Sequence, residues 1–119
     1  MIKELYDLPA KVIGFEVTGK VLAQDFLDVV LPAFERASEE GEFRAVIVIP
    51  QFGGMSSGAL WEDLRLGVPH LRDWKKIAVV TDIDWIVHLT QLFGWMSPGE
   101  VKAFPIAERG EAINWVAAE

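Results

Sequence analysis

A run of apolar residues followed by a glycine-rich turn limits the fold of this chain more than any other feature. Residues 45–50 read Ala-Val-Ile-Val-Ile-Pro, residues 51–58 contain three glycines and two serines, and Ala59 begins a helical pattern. A continuous β-branched run predicts a strand that is covered on both faces, as in α/β domains. Because a helix amino terminus leaves backbone N–H groups without partners, ligands and modifications gather at such turns. The functional site is therefore predicted at the turn of residues 51–58, between the end of the strand and the start of the helix.

The rest of the chain alternates between strand and helix patterns. The apolar spacing predicts strands at residues 2–6, 11–18, 43–49, 76–81 and 100–104, and helices at 21–40, 58–74, 85–93 and 107–118. This order predicts an α/β fold in which α-helices pack against a mixed β-sheet. All 119 residues are expected to form a single domain.

Particular residues are expected to shape the bends and ends of these helices. Pro32 and Pro69 lie inside helices and predict kinks, because proline lacks the N–H that a helix interior needs. Asp84 is expected to cap the third helix, and Gly94 to end it at the C′ position. The predicted buried faces are Phe26, Val29, Val30, Ala33, Phe34 and Ala37 in the first helix, and Ala112, Trp115 and Val116 in the last.

Charge and composition argue against several classes of partner. The chain carries 18 acidic and 11 basic residues, a net charge of −7, so no nucleic acid is expected as a partner. The basic cluster of Arg72, Lys75 and Lys76 is instead expected to complement the dipole at the end of helix 58–74. Apolar runs of about six residues are too short to span a bilayer, so no stable membrane insertion is expected. The absence of cysteine excludes thiolate sites and suits a cytoplasmic location.

A serine-hydrolase motif is present only in incomplete form. Residues 54–58 spell G-x-S-x-G around Ser56, and Asp82 or Asp84 followed by His88 gives the chain order of a hydrolase triad. The motif does not follow its strand directly, however, and His88 falls in a predicted helix. A hydrolase is therefore the weakest of the functional interpretations, and the protein is expected not to be an enzyme.

Nucleotide and metal sites are also incomplete. Ala59 and Leu60 stand where a P-loop needs lysine followed by serine or threonine. Asp82 and Asp84 flank the end of a predicted strand, but no histidine pair stands at a metal-ligand spacing. No metal or other cofactor is therefore expected.

In its element order and several segments the chain resembles STAS-type domains, the fold of anti-sigma-factor antagonists and of the cytoplasmic tails of sulfate transporters. The likeness is to a bacterial group of small stand-alone STAS-like proteins, which are related in fold to CRAL-TRIO lipid carriers. The segments that carry the resemblance are 19–21 leading to the helix at Asp25, 59–63, 76–85, and Phe104 with 112–115. None of these segments is a catalytic signature, so the resemblance implies a fold and a binding function.

The resemblance also implies a phosphorylation site. Phosphorylated antagonists carry a serine in an Asp-Ser-Ser-Gly context after the third strand, and Ser56-Ser57-Gly58 matches that place. Ser57 would then be the acceptor. Met55 stands where those proteins have aspartate, which argues against recognition by the same kinases. The alternative is that the two serines cap the helix that follows.

Aromatic side chains are the stronger functional signal. Five tryptophans are many for a chain of 119 residues, and several lie beside predicted strand ends. Exposed apolar groups of this kind mark an interface or a ligand groove, although they can also form a second small core beneath the loops. The predicted ligand-binding residues are Phe26, Phe34, Phe52, Trp61, Asp63, His70, Trp85 and Trp95.

Two functions from different classes remain open. In the first, helices 21–40 and 58–74 part at their prolines to admit a hydrophobic small molecule, which would make the protein a carrier or sensor. In the second, the same aromatics anchor a protein partner, including a second copy in a homodimer, and Ser57 switches the interaction. The first is the preferred prediction, and the STAS-type interaction and regulatory module is its alternative.

Overall fold

One mixed β-sheet forms the centre of the structure. The computed structural model describes residues 1–9, 11–39, 43–54, 74–96 and 100–118. The strands are β1 Ile2–Leu5, β2 Val12–Val17, β3 Phe43–Val48, β4 Trp74–Val80 and β5 Glu100–Phe104. They lie in the order β1-β2-β3-β4-β5, with β1 antiparallel to β2 and the other neighbours parallel. The predicted α/β fold with a mixed sheet is confirmed, and β1 and β5 are its edges.

The strand register divides the side chains between two faces, because successive residues of a strand point to opposite sides. Ile13, Ala45, Ile77 and Val101 share one row and define what we call the first face. The first face is buried under a cluster made of Ile2, Phe15, Val21, Val30, Ala33 and Ala45. The opposite or second face is buried under Val12, Val46, Val48, Ala78, Val80, Phe104, Ala112 and Val116. Helices thus cover both sides of the sheet.

The first helical region is interrupted where proline predicts it. It consists of α1 Ala23–Asp25, a π-helical turn Phe26–Val30, and α2 Leu31–Glu39. Pro32 has no N–H to give to the preceding turn, and the Leu31 N–H bonds to the Phe26 carbonyl five residues back. Val30 and Ala33 are buried against the first face, so the predicted apolar stripe is confirmed where side chains are described.

The next helix that the structure describes is longer than the sequence predicts. This helix, α3 Asp84–Met96, includes Gly94 in its interior, so the prediction that Gly94 ends it was wrong. A Cβ atom on Gly94 would lie 2.9 Å from the carbonyl oxygen of Val101 in β5. The glycine therefore lets the helix approach the sheet closely on its first face. Asp84 belongs to the first turn of the helix and is not its cap.

The final helix covers the second face. A 3₁₀ turn, Ile106–Glu108, precedes α4 Arg109–Ala117, so the predicted helix over 107–118 begins as a tighter turn after Pro105. Ala112 and Val116 are fully buried, as predicted. Trp115, predicted to be buried, is half-buried: its ring packs against Phe104 at the margin of the core, with centroids 5.8 Å apart.

Two cations hold the carboxyl end of α4. Arg44 is 8% exposed, and its Nη1 donates to the carbonyl oxygens of Val116 and Ala118. The Nζ of Lys76 donates to the carbonyl oxygens of Trp115 and Ala118. Cations at a helix carboxyl terminus complete its hydrogen bonds and complement its dipole. Lys76 was predicted to do this for helix 58–74, but it lies in β4 and does so for α4.

The observed start of β4 differs from the predicted end of helix 58–74. Trp74 is the first residue of β4, where the sequence pattern extends helix 58–74 through it. Pairing of Trp74 with Phe43 of β3 places this residue in the sheet, next to a shift in register between Phe43 and Arg44. The rest of the predicted helix 58–74 lies outside the described residues. Among the described elements, no helix is long and apolar enough to cross a bilayer.

Candidate functional site

The carboxyl ends of the parallel strands are joined by backbone hydrogen bonds into one platform. The Gly53 N–H donates to the Gly19 carbonyl at 2.7 Å, and the Val21 N–H donates to the Gly54 carbonyl at 2.8 Å. These bonds tie the segment after β2 to the segment after β3. Residues 49–54 therefore leave the sheet along a fixed path towards the serine-containing turn predicted from the sequence.

Two glycines make this close approach feasible. A Cβ atom on Gly53 would lie 3.1 Å from the Gly19 carbonyl carbon, which is tighter than side chains normally tolerate. Gly54 has φ +104°, a conformation that residues with a side chain rarely adopt. The glycine-rich composition of this turn thus has a structural cause that needs no bound ligand.

The side chains of Thr81 and Asp82 hold the end of β4, the strand next to β3, in place. Thr81 is 1% exposed, and its hydroxyl donates to the Ile49 carbonyl at 2.8 Å while it accepts the Ile83 N–H at 3.2 Å. Asp82 accepts the Ile106 N–H at 3.1 Å through Oδ1. The end of β4 is therefore bonded both to the end of β3 and to the start of the 3₁₀ turn, and α3 leaves from a rigid base.

An aromatic pair lies on this platform. The rings of Phe52 and Trp85 meet edge to face, with centroids 5.5 Å apart and planes at 66°. Phe52 and Phe26 pack against the first-face core, whereas Trp85 is 55% exposed. The structure thus brings together three of the predicted ligand-binding residues around the first face, and one of them reaches well into solvent.

The other predicted site residues are placed in part or not at all. Phe34 belongs to α2, and Trp95 belongs to α3 instead of the loop after it. The predicted residues Trp61, Asp63 and His70, and the predicted acceptor Ser57, lie outside the described residues.

Sequence reasoning missed two exposed leucines on α3. Leu89 is 57% exposed and Leu92 is 58% exposed. With Trp85 they follow the spacing i, i+4, i+7, which places all three on one side of the helix. We call Trp85, Leu89 and Leu92 the α3 patch. Its signal in the sequence was the predominance of large apolar residues in this helix, which carries a single charged residue, Asp84.

Polar residues border the α3 patch on one side. Asp84, His88 and Gln91 are exposed, and α3 contains no lysine or arginine. The inward side of the helix carries Ile86 and Thr90, both buried, and the Thr90 hydroxyl donates to the Ile86 carbonyl at 2.7 Å. The helix therefore buries one side against the domain and presents the large apolar groups of the other to solvent.

The described residues give little support to the interpretations as a serine hydrolase or a metal site. β3 ends at Val48, six residues before Gly54, whereas a nucleophile elbow follows its strand directly. His88 lies exposed on α3, and Ser56 is outside the described residues. Within the part of the chain that the structure describes, no three acidic, histidine or cysteine residues gather closely enough to hold a metal ion.

Comparison with known proteins gives one family and one fold. The family model described as SpoIIAA-like matches residues 12–117. The structure is similar to a crystal structure from Shewanella loihica PV-4, described as an uncharacterized protein of the DUF3478 family with a SpoIIAA-like fold. The TM-score is 0.78 and the sequences are 26% identical over 98% of this chain and 94% of the other. No curated protein matches the chain.

Proposed function

The chain belongs to the SpoIIAA-like family, which confirms the STAS-like resemblance seen in the sequence, and we propose that it is a non-enzymatic regulatory module that binds a protein partner through the α3 patch. One observation carries the proposal. Three large apolar side chains, each more than half exposed, stand in a row on a helix whose inner side is buried at Ile86 and Thr90. Contiguous exposed apolar groups of this kind mark interaction surfaces.

The alternative of a hydrophobic-ligand carrier has weaker support. Phe26 and Phe52, which were predicted to line a ligand space, pack against the first-face core. The side chains that remain exposed lie on the outer side of a helix, where they suit contact with another surface. Both the family and this distribution of exposure favour the interaction module over the carrier.

The α3 patch is large enough to anchor a partner but not to form a whole interface. Its three side chains expose on the order of 300 Å², below the roughly 800 Å² that each side of a stable complex buries. Tryptophan and leucine at the centre of an interface still contribute strongly, since burying each side chain fully is worth about 1.5–3 kcal/mol. A homodimer through the same patch is one form of this proposal and would need further contacts.

Photocrosslinking inside cells tests the proposal directly. A photoreactive amino acid replaces Trp85 in one variant and Tyr6 in a control, since Tyr6 is 81% exposed and lies at the β1–β2 turn. We expect a protein adduct from position 85 and none from position 6. An adduct at twice the 13.3 kDa chain mass identifies a homodimer. A lipid-sized adduct, or no adduct at position 85, would refute the proposal.

Regulation at Ser57 is a separate part of the proposal and rests on the resemblance. Phosphorylation adds about −1.5 to −2 charge, which can break or create contacts at a protein surface. We expect mass mapping of the protein purified from its own cells to find phosphate at Ser57 and not at Ser56. Absence of phosphate at Ser57 under every growth condition would refute regulation at this residue.

A further inference from the structure

We infer that the partner presents a basic amphipathic helix, which lies along α3 with its apolar side on Trp85, Leu89 and Leu92. This inference rests on the proposed function and names the chemistry of the partner. It follows from two independent features of the described surface: the spacing of the exposed apolar residues and the charge of the residues around them.

The spacing matches a helical partner. Trp85 and Leu92 are seven residues apart, so the α3 patch is about 10 Å long, or two helical turns. A partner helix reads such a surface with its own apolar residues at i, i+3 or i+4, and i+7. The aromatic contact between Trp85 and Phe52 holds the amino-terminal end of the patch in place. Little ordering of the indole is then needed when a partner binds.

The charges select a basic partner. Asp84 and Asp82 are exposed at the start of α3, and the helix itself has no basic residue. Of the cations on the neighbouring strands, Arg44, Lys76 and Lys102 share the second face, whereas α3 packs against Val101 of the first face. Two further exposed lysines lie elsewhere: Lys75 at the amino end of β4, opposite the end that Asp82 and Asp84 follow, and Lys20 after β2, beside Gly53. Lysine or arginine on the partner would meet carboxylates at the rim, and acidic residues would be repelled.

The same charges disfavour the other possible occupants. A second copy brings another net charge of −7, and its α3 has no cation to set against Asp84. An anionic bilayer repels an acidic protein in the same way. A basic helix is the occupant that satisfies both the apolar row and the carboxylates of Asp82 and Asp84 at its start.

Synthetic peptides can test this chemistry on the intact protein. The first peptide has leucines at i, i+4 and i+7 flanked by lysines, the second replaces every lysine with glutamate, and the third scrambles the first so that the apolar face is lost. Fluorescence anisotropy measures binding of each labelled peptide. We expect the basic amphipathic peptide to bind at least tenfold more tightly than the other two.

Variants then locate the binding surface. The double variant Leu89→Ser with Leu92→Ser removes exposed side chains, so the fold should persist, which circular dichroism verifies. We expect it to lose at least tenfold in affinity for the basic peptide, whereas Tyr6→Ser binds normally. Asp82→Asn with Asp84→Asn should weaken binding severalfold and flatten its dependence on salt.

Several results would refute the basic-helix inference or indicate another occupant of the α3 patch. Equal binding of the glutamate peptide, or full binding by the double leucine variant, refutes the basic-helix inference. Binding to anionic vesicles without binding to peptide would replace it with a membrane surface, and concentration-dependent self-association through Leu89 and Leu92 would replace it with a second copy. If position 85 crosslinks a protein in cells while the basic peptide fails, only the partner chemistry is wrong. If the crosslink fails, the proposed function falls too.

Discussion

Replacement of Arg44 by methionine tests how the sheet and the last helix are held together. The guanidinium is buried at 8% exposure, and it donates to the carbonyl oxygens of Val116 and Ala118, the latter at 2.6 Å. Methionine has a similar length and leaves no charge, so the substitution removes the hydrogen bonds with little loss of packing.

The expected cost follows from what each carbonyl loses. Val116 is fully buried, and a buried carbonyl left without a donor costs about 1–3 kcal/mol. Loss of a cation at the helix carboxyl terminus adds about 0.3–1 kcal/mol. The Ala118 carbonyl is exposed and keeps the Lys76 Nζ as a donor at 2.9 Å, so loss of the Arg44 bond costs little there. Release of the guanidinium from its buried site offsets part of this loss, and we expect a net destabilisation of about 2–3 kcal/mol.

Chemical denaturation of the variant measures this cost, with thermal melting as a second readout. A loss of this size lowers the Tm by roughly 10 °C in a domain of this length. The matched control is Arg36→Met, since Arg36 makes two 3.0 Å hydrogen bonds to Glu4 with its own side chain 65% exposed, and water can take its place beside the Glu4 carboxylate, whose side chain is 16% exposed. Exposed ion pairs contribute less than about 1 kcal/mol. Equal destabilisation by the two variants would contradict the role assigned to Arg44.

Three further substitutions test local features of the fold. Lys11 has φ +71°, so Lys11→Gly should stabilise the protein by about 0.5–1 kcal/mol in urea unfolding; a loss of stability would show that its backbone is not strained. Gly94→Ala should destabilise by about 1–2 kcal/mol because its methyl group meets the Val101 carbonyl, whereas the control Gly110→Ala, with nothing within 4 Å, should stabilise by up to about 1 kcal/mol. A hydrogen bond and repulsion from Glu111 raise the pKa of Glu108, so the folded state holds the Glu108 proton more tightly than the unfolded state does. Binding of this proton stabilises the folded state at low pH, and that stabilisation is lost as pH rises through the raised pKa. Glu111→Gln should therefore raise the Tm near neutral pH but not near about pH 4, and an equal gain at both would refute the coupling.

Periodicity predicted the sheet and its helices because burial imposes it. Residues 45–49 and 77–80 are continuous apolar segments rich in β-branched residues, and they lie in or at the end of the central strands β3 and β4. The interruption before Pro32 was predictable for a covalent reason, the missing N–H.

Helix boundaries were less predictable because tertiary contacts decide them. Gly94 is a common stop signal, but here its small size serves contact between α3 and β5, and the helix continues through Met96. Lys76 was expected at the end of helix 58–74, but it lies in β4, and pairing within the sheet brings its Nζ to the carboxyl end of α4.

The candidate site was predictable only in outline. Trp85 and Phe52 were identified as a group of aromatics near strand ends, and the structure brings them into contact. Leu89 and Leu92 were missed because large apolar residues occupy more than one side of helix 85–93, so the pattern alone does not distinguish the buried side from the exposed one. Packing of Ile86 and Thr90 against the domain makes that distinction.

The indole N–H resonances of Trp85 and Trp115 test the central claim that partners bind through the α3 patch. Trp115 is a built-in reference, since its ring lies near Lys76 and Lys102 on the second face, 5.0 and 6.0 Å from their Nζ atoms. Nitrogen-15 spectra of the protein, assigned with Trp→Phe variants, are recorded while the basic amphipathic peptide is added. We predict that the Trp85 signal shifts with a saturable dependence on peptide concentration while the Trp115 signal stays in place. A shift centred on Trp115, or binding of the peptide that leaves the Trp85 signal in place, would contradict it.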